Sequence, residues 1–145
     1  EESIRIPFVV HIPGNDNRRC STCIGSQDMM PTILGLLNCP IPDTVEGEDC
    51  QRFIKGEEDE ERVSFLCASP GRADFVEKFK KAGKDPATYG WRGVRTKRYT
   101  YVIELGYDVI CKPKRYLYDN LQDPEQIHPP DLDTKENKML ARELE

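Results

Sequence analysis

Residues 90–105 read GWRGVRTKRYTYVIEL, and this stretch decides the fold of the second half of the chain. Tyr99, Tyr101 and Ile103 occupy alternate positions, which is the period of a strand with one buried face. The polar residues Thr96–Arg98 separate this segment from a preceding run that is also strand-like. The stretch therefore predicts an antiparallel hairpin with its turn at 96–98.

The segments around the hairpin predict two more strands and two helices. We expect strands at 62–67 (RVSFLC) and 115–118 (RYLY), and helices over 69–83 (SPGRADFVEKFKKAG) and in NKMLAREL. Ser69 is a suitable N-cap for the first helix and Gly83 a suitable stop, while Asp133 and Glu136 resemble a capping box before the last helix. Together these elements predict an α+β fold with a small antiparallel sheet of about four strands and packing helices.

The first part of the chain predicts one strand and one helix that need a larger sheet beside them. Residues 3–12 alternate apolar and polar side chains, and residues 28–37 carry an apolar stripe at helical spacing. An acidic run, GEEDEER, follows the proline-containing linker. We place a boundary there, between a tail of a larger α/β domain (1–56) and an α+β subdomain (57–145). Because the strand opens the chain directly, we expect either a processed chain or a piece of a larger protein.

Composition limits the classes of partner. The chain has 145 residues, 37% hydrophobic side chains and a net charge of −5. This acidic balance argues against non-specific binding of nucleic acid. No apolar run reaches the length that crosses a bilayer. Cytoplasmic, periplasmic and secreted locations all remain open.

Two of the six cysteines, Cys20 and Cys23, have the spacing of a zinc or redox pair. A second pair at similar spacing is absent from the sequence, because Cys39 and Cys50 lie too far apart. We therefore expect ordinary thiols and no metal site in this chain.

Four segments in order resemble the C-terminal third of a sulfatase of the alkaline phosphatase superfamily. They are EESIRIPFVVHIPG, SQDMMPTILGLLNCPIPDTVEGEDC, GWRGVRTKRYTYVI and YLYDNLQDPEQ. The chain departs from the family pattern at Cys50, where the family usually has Leu, and in the stretch 127–130. The resemblance implies that the first strand belongs to the central sheet of a catalytic domain that precedes this chain.

The resemblance also implies where the chemistry lies. Sulfatases use a formylglycine made from the Cys or Ser of C/S-x-P-x-R, together with a calcium ion held by Asp and Asn or Gln. The nearest match here runs from Cys67 to Arg72 and has one residue too many between Cys and Pro. Neither His11 nor His128 has a carboxylate or metal cluster beside it in the sequence. We expect no catalytic residue and no cofactor in this chain, and calcium and formylglycine in the rest of the protein.

Substrate contacts are the role left open to this chain. Arg92, Arg95, Lys97 and Arg98 form a dense cationic stretch that suits a sulfated small molecule or glycan. We take Arg92, Arg95 and Lys97 as candidate substrate-binding residues, although strand alternation turns Arg92 away from Arg95.

The leading interpretation is thus the C-terminal region of a sulfatase, inactive by itself, whose partner is the N-terminal catalytic domain. One alternative is the same region of a phosphodiesterase or phosphonate hydrolase relative. Another is a non-catalytic interaction module.

Overall fold

The computed structural model describes residues 4–68, 73–85, 90–105 and 113–145, without the side chains of residues 73–75. A short 3₁₀ helix at Ser26–Asp28 leads into the first α-helix. In chain order the elements are α1 (Met29–Leu36), α2 (Gln51–Ile54), β1 (Ser64–Ala68), α3 (Ala73–Lys81), β2 (Gly90–Arg95), β3 (Tyr99–Leu105), β4 (Lys114–Asp119) and α4 (Lys135–Leu144).

The four strands form one antiparallel sheet in the order β1-β2-β3-β4, which confirms the predicted fold class. The hairpin turn lies where the sequence predicts it. The amide of Thr96 donates to the carbonyl oxygen of Tyr99 at 2.8 Å, and the amide of Tyr99 donates back to the Thr96 hydroxyl at 2.9 Å. Each strand follows its neighbour in sequence, so the sheet needs only local connections.

One face of the sheet packs against α4. Tyr101 and Leu117 are 2% and 1% exposed and meet Ala141 of the helix in the core. The N-cap is Thr134, one residue after the predicted Asp133, because the Thr134 hydroxyl accepts the Asn137 amide at 3.3 Å. The predicted Asp133 cap is therefore wrong, and Asp133 instead pairs with Lys138 on the surface.

The strand expected over residues 3–12 is not formed among the described residues, and it stays a prediction for a protein in which a larger sheet lies beside it. Residues 4–12 form no strand pairing within the described residues, and Ile6 and Val9 are 73% and 90% exposed. A strand is stable only beside another strand that takes up its backbone donors and acceptors. No described strand lies along this segment.

The first helix agrees closely with the sequence pattern. α1 lies within the predicted range 28–37, and Pro31 falls in its first turn, where no intrahelical N–H is needed. Asn38 ends it with a positive φ of 53°. For α3, the predicted start at Ser69 lies outside the described residues. Its predicted stop, Gly83, has a φ of 67°.

Arg62 holds the first part of the chain together. Its guanidinium contacts the carboxylate of Asp28 at 2.9 Å and also that of Glu48. Its Nε donates to the carbonyl oxygen of Cys23 at 3.1 Å. The ring of Phe53 lies under the guanidinium, 5.5 Å from centroid to Cζ. We call these contacts the Arg62 clasp, because they join segments that are far apart in sequence.

Two backbone contacts complete the clasp. The second oxygen of Asp28 accepts the Glu48 amide at 3.0 Å, and the Thr32 hydroxyl accepts the Cys50 amide at 2.9 Å. Burial acts to raise the pKa of Asp28, but the amides of Glu48 and Gly25 and the Arg62 guanidinium lower it overall. The carboxylate is thus held ionised although it is almost fully buried.

A second set of contacts also joins the N-terminal loop to the acidic run. Residues 18–22 lie along residues 55–59, and three hydrogen bonds join positions that are each 37 residues apart. The pairs are Arg18 with Lys55, Ser21 with Glu58, and Thr22 with Asp59. The acidic run is therefore partly used to anchor the N-terminal loop.

We expect Asp28→Asn to lower the free energy of unfolding at neutral pH by about 3 kcal/mol, the usual cost of breaking a buried ion pair. Because the folded state lowers the pKa of Asp28 below its ordinary value of 3.8, this stabilisation is complete above about pH 4 and is lost as pH falls through the folded pKa. The difference from wild type should therefore shrink below pH 4 in urea titrations. Asp133→Asn, at an exposed carboxylate, is the matched control. A gap that stays constant with pH would contradict this role.

Candidate functional site

The three candidate substrate-binding residues do not converge on one site. In the sheet register Arg92 lies opposite Ile103 and Arg95 opposite Thr100, so the two arginines are on opposite faces. Lys97 lies in the hairpin turn between β2 and β3. The alternation noted in the sequence therefore decides their placement.

Each of these cations makes a contact with neighbouring groups. Lys97 pairs with the Glu60 carboxylate, whose hydrogen bond raises the pKa of the lysine. Arg92 donates to the carbonyl oxygen of Trp91 at 2.9 Å. Arg98 pairs with Asp119 at 3.1 Å and lies 4.9 Å above the ring of Tyr99. The densest cationic stretch seen in the sequence is thus largely engaged in local contacts.

Arg95 belongs to a polar network at the turn end of the sheet. Its guanidinium donates to the Thr100 hydroxyl at 3.1 Å, and that hydroxyl donates to Asn120 at 2.8 Å. The amide of Gln126 donates to Thr100 and to Asn120, each at 2.9 Å. Thr100 is only 1% exposed, so these bonds satisfy a buried polar group rather than leave it open to a ligand.

The sheet face opposite α4 carries a row of aromatic rings. Trp91 stacks on Tyr116 with centroids 5.5 Å apart, and Tyr116 stacks on Tyr118 at 6.4 Å. The Tyr116 hydroxyl donates to Glu104, a carboxylate residue that is 6% exposed, at 3.0 Å. Burial, followed by the hydrogen bond to Glu104, raises the pKa of Tyr116. Trp91 is the ring of this row that reaches the surface, at 39% exposed.

The sequence match to the nucleophile motif gains no support from the described residues. Cys67 is exposed on β1, while the rest of the match, residues 69–72, lies outside the description. His11 is exposed in the N-terminal segment. His128 is exposed in a loop, where its backbone amide donates to Asp123 at 2.6 Å. Neither histidine is held against a nucleophile by a described contact.

The described residues provide no metal centre. Within residues 4–68, 73–85, 90–105 and 113–145, no group of three His, Cys, Asp or Glu side chains could hold an ion. Among the described residues Cys20, Cys23, Cys39, Cys50 and Cys67 form no disulfide, and Cys111 lies outside the description. None of the described helices is long and apolar enough to cross a membrane.

Two groups of charged residues escaped the sequence analysis. In the sequence, Arg62 marks only the end of an acidic run and the start of a predicted strand. Its partners, Asp28 and Glu48, are 34 and 14 residues away, so no local pattern could indicate them. The lysines of α3 and its C-terminal turn form the run KFKKAGK at 78–84, and the structure leaves all four of them exposed.

The comparisons with known proteins agree on one family. The family described as N-sulphoglucosamine sulphohydrolase, C-terminal, matches residues 1–145. An ulvan-active sulfatase of Formosa agariphila is 33% identical over 149 residues, which cover 98% of this chain and 26% of that protein. An endo-4-O-sulfatase of Bacteroides thetaiotaomicron is 30% identical over 151 residues, covering 99% of this chain and 28% of that protein. The chain spans about a quarter of the length of each relative.

Solved structures show the same fold. A sulfatase structure from work on glycosaminoglycan metabolism in Bacteroides thetaiotaomicron has a TM-score of 0.56 and 25% identity, covering 83% of this chain and 25% of that one. The phosphonate monoester hydrolase of Agrobacterium radiobacter has a TM-score of 0.59 and 21% identity, covering 83% and 23%. At that identity the second likeness concerns the fold alone.

The sequence relatives distinguish between a sulfatase and a phosphonate hydrolase, two classes of enzyme that share this fold. Both relatives are sulfatases, and they match the chain from end to end. This confirms the resemblance seen in the four sequence segments and favours the sulfatase interpretation over a phosphonate hydrolase or a stand-alone interaction module. The chain belongs to the N-sulphoglucosamine sulphohydrolase C-terminal family and has the C-terminal domain fold of sulfatases of the alkaline phosphatase superfamily.

Proposed function

We propose that the protein containing this chain hydrolyses sulfate esters on a sulfated polysaccharide. The observation that carries the proposal is the end-to-end match to two curated sulfatases, one named for its activity on ulvan and one as an endo-4-O-sulfatase. This chain then supplies the C-terminal domain, which supports the reacting groups without containing them.

The reacting groups belong, in this proposal, to sequence outside this chain. Sulfatases supply a formylglycine nucleophile and a calcium ion that polarises the sulfate oxygens. The described residues contain no three-ligand cluster that would fit such an ion. We assign no metal ligand and no catalytic role to any described residue of this chain.

An exposed apolar surface indicates how this chain joins the catalytic region. Met30, Ile33 and Leu37 follow one another at helical spacing and are 51%, 45% and 65% exposed. Ile6 and Val9, in the segment before α1, are still more exposed. Apolar area of this kind is unfavourable in water and marks a contact surface. Its occupant, in our proposal, is the catalytic domain of the same protein, whose central sheet would also pair with the extended segment 4–12.

Arg92 is the strongest of the three candidate substrate-binding residues. Lys97 pairs with Glu60, and Arg95 bonds to the buried Thr100. Arg92 is half-buried on β2 and bonds to the backbone of the partly exposed Trp91. Its side chain lies on the sheet face opposite the Trp91 ring, so the proposal rests on the cation alone, whose planar set of N–H donors suits an oxyanion such as a sulfate ester.

The full-length protein should release inorganic sulfate from ulvan or chondroitin sulfate, and should hydrolyse an aryl phosphonate monoester at least about a hundredfold more slowly, a difference of about 2.7 kcal/mol in transition-state binding. Ion chromatography measures the sulfate, and a chromogenic assay follows the phosphonate. Faster turnover of the phosphonate would favour the alternative chemistry of the Agrobacterium protein, with which this chain shares its fold.

The double variant Ile33→Asp, Leu37→Asp tests the docking surface in the full-length protein. We expect its melting temperature to fall by several degrees and its sulfatase activity to drop, because two carboxylates would be buried against the catalytic domain. Leu121→Asp is the matched control, since Leu121 is 67% exposed and lies outside the α1 surface. Equal, small effects of both variants would show that α1 stays in contact with water in the full-length protein.

The variants Arg92→Gln and Arg95→Gln should separate binding from folding. Arg92→Gln should raise KM several-fold with the melting temperature unchanged. Arg95→Gln should lower the free energy of unfolding by about 1 kcal/mol, because it removes a charge-assisted bond from the buried Thr100 network. Steady-state kinetics and thermal unfolding of the full-length protein measure both. An unchanged KM in Arg92→Gln would remove this residue from the substrate site.

A further inference from the structure

The sheet face that packs against α4 is covered by that helix along β3 and β4 but not along β1. One cross-strand row on this face takes a residue from each strand, in the order Leu117, Tyr101, Val94 and Phe65. Leu117 and Tyr101 are 1% and 2% exposed, Val94 is half-buried, and Phe65 on β1 is 72% exposed. An apolar row that begins in the core therefore ends in water at β1.

The neighbouring row continues the same uncovered surface. Cys67 on β1 is exposed and lies directly opposite Arg92 on β2. Because side chains alternate along a strand, Phe65 and Cys67 share one face of the sheet with Arg92 and Val94. We call these four residues the β1–β2 face. The candidate substrate-binding residue Arg92 thus belongs to the same surface as the exposed Phe65.

The outer edge of β1 is a second sign of a contact surface. β1 is the terminal strand of the described sheet, and its sequence SFLCA contains neither a charged side chain nor a proline. Such residues commonly protect an exposed edge, because its unpaired backbone donors and acceptors otherwise recruit another strand. An exposed aromatic side chain on the same strand adds apolar area that favours contact.

We propose that the β1–β2 face packs against the catalytic region of the same protein. The identity of this partner rests on the proposed function. The chain spans 26% and 28% of the length of its two curated relatives, so most of such a protein lies outside this chain. A neighbour in the same polypeptide has an effective concentration in the millimolar range, which favours it over a second copy of the protein.

This contact has a consequence for the candidate substrate-binding residue. Phe65 supplies the apolar anchor, and Val94 on the adjacent strand extends it toward the core. Arg92 then lies at the boundary between the two regions, on the side of the sheet that faces the reacting groups. A chain without reacting groups of its own in this way brings a guanidinium to a sulfate ester held by its neighbour.

The thiol of Cys67 is a direct probe of this contact in the full-length protein, because it is exposed in this structure. Labelling with iodoacetamide, followed by mass spectrometry of the peptides, measures its accessibility. We expect Cys67 to react at least about tenfold more slowly in the folded protein than in urea, since a covered thiol reacts only when the contact opens. Cys20, exposed in the N-terminal loop, is the internal reference and should be slowed much less.

The variant Phe65→Asp tests the apolar anchor in the full-length protein. It should lower the melting temperature by several degrees and restore much of the Cys67 labelling, because a carboxylate would be buried at the contact. Phe65→Leu should retain most of the wild-type stability. Ile127→Asp is the matched control, since Ile127 is 60% exposed in the loop that follows β4, and it should change neither measurement.

Two outcomes would overturn the inference. One is labelling of Cys67 that is slowed no more than that of Cys20. The other is protection that appears only as dimers form in sedimentation, which would identify a second copy as the occupant. Because none of these measurements involves turnover, a protein that shields Cys67 but releases no sulfate would refute the proposed function and leave the contact standing.

Discussion

The buried pair of Asp28 and Arg62 is the interaction on which the first part of the chain depends. Arg62 is 11% and Asp28 5% exposed in their side chains, so neither charge could remain in place without the other. The pair connects the N-terminal loop and α1 to the residue that leads into β1. It therefore links the half of the chain that lacks a sheet to the half that contains one. Glu48 and the carbonyl of Cys23 fix the orientation of the guanidinium, because each takes a different N–H of the planar group.

The two halves of the chain differ in how completely they bury their own apolar side chains. In the second half, the sheet buries Tyr101 and Leu117 against α4 and satisfies its polar network internally. In the first half, the helix α1 and the segment 4–12 expose apolar side chains, while polar groups carry most of the described contacts between segments. This division agrees with a domain that contributes one complete layer of its own and one surface to a larger neighbour.

The cationic residues of the hairpin serve the fold itself. Arginines and a lysine of the hairpin are committed to carboxylates and hydroxyls nearby, and they stabilise the turn end of the sheet. A dense cationic sequence therefore does not by itself identify a binding surface. What matters is whether carboxylates elsewhere in the fold already neutralise it.

The sequence by itself determined the local elements and the family. Strand alternation, the turn at Thr96–Arg98 and the helix stops at Asn38 and Gly83 all depend on residues within a few positions of one another, and these predictions agree with the structure. Four ordered motifs were enough to indicate a sulfatase. Only the tertiary structure decided which charges meet, because Arg62 and Asp28 are 34 residues apart. It also shows residues 4–12 beside no strand of the described part of the chain, and the alternation that predicts a strand says nothing about whether a neighbouring strand is present.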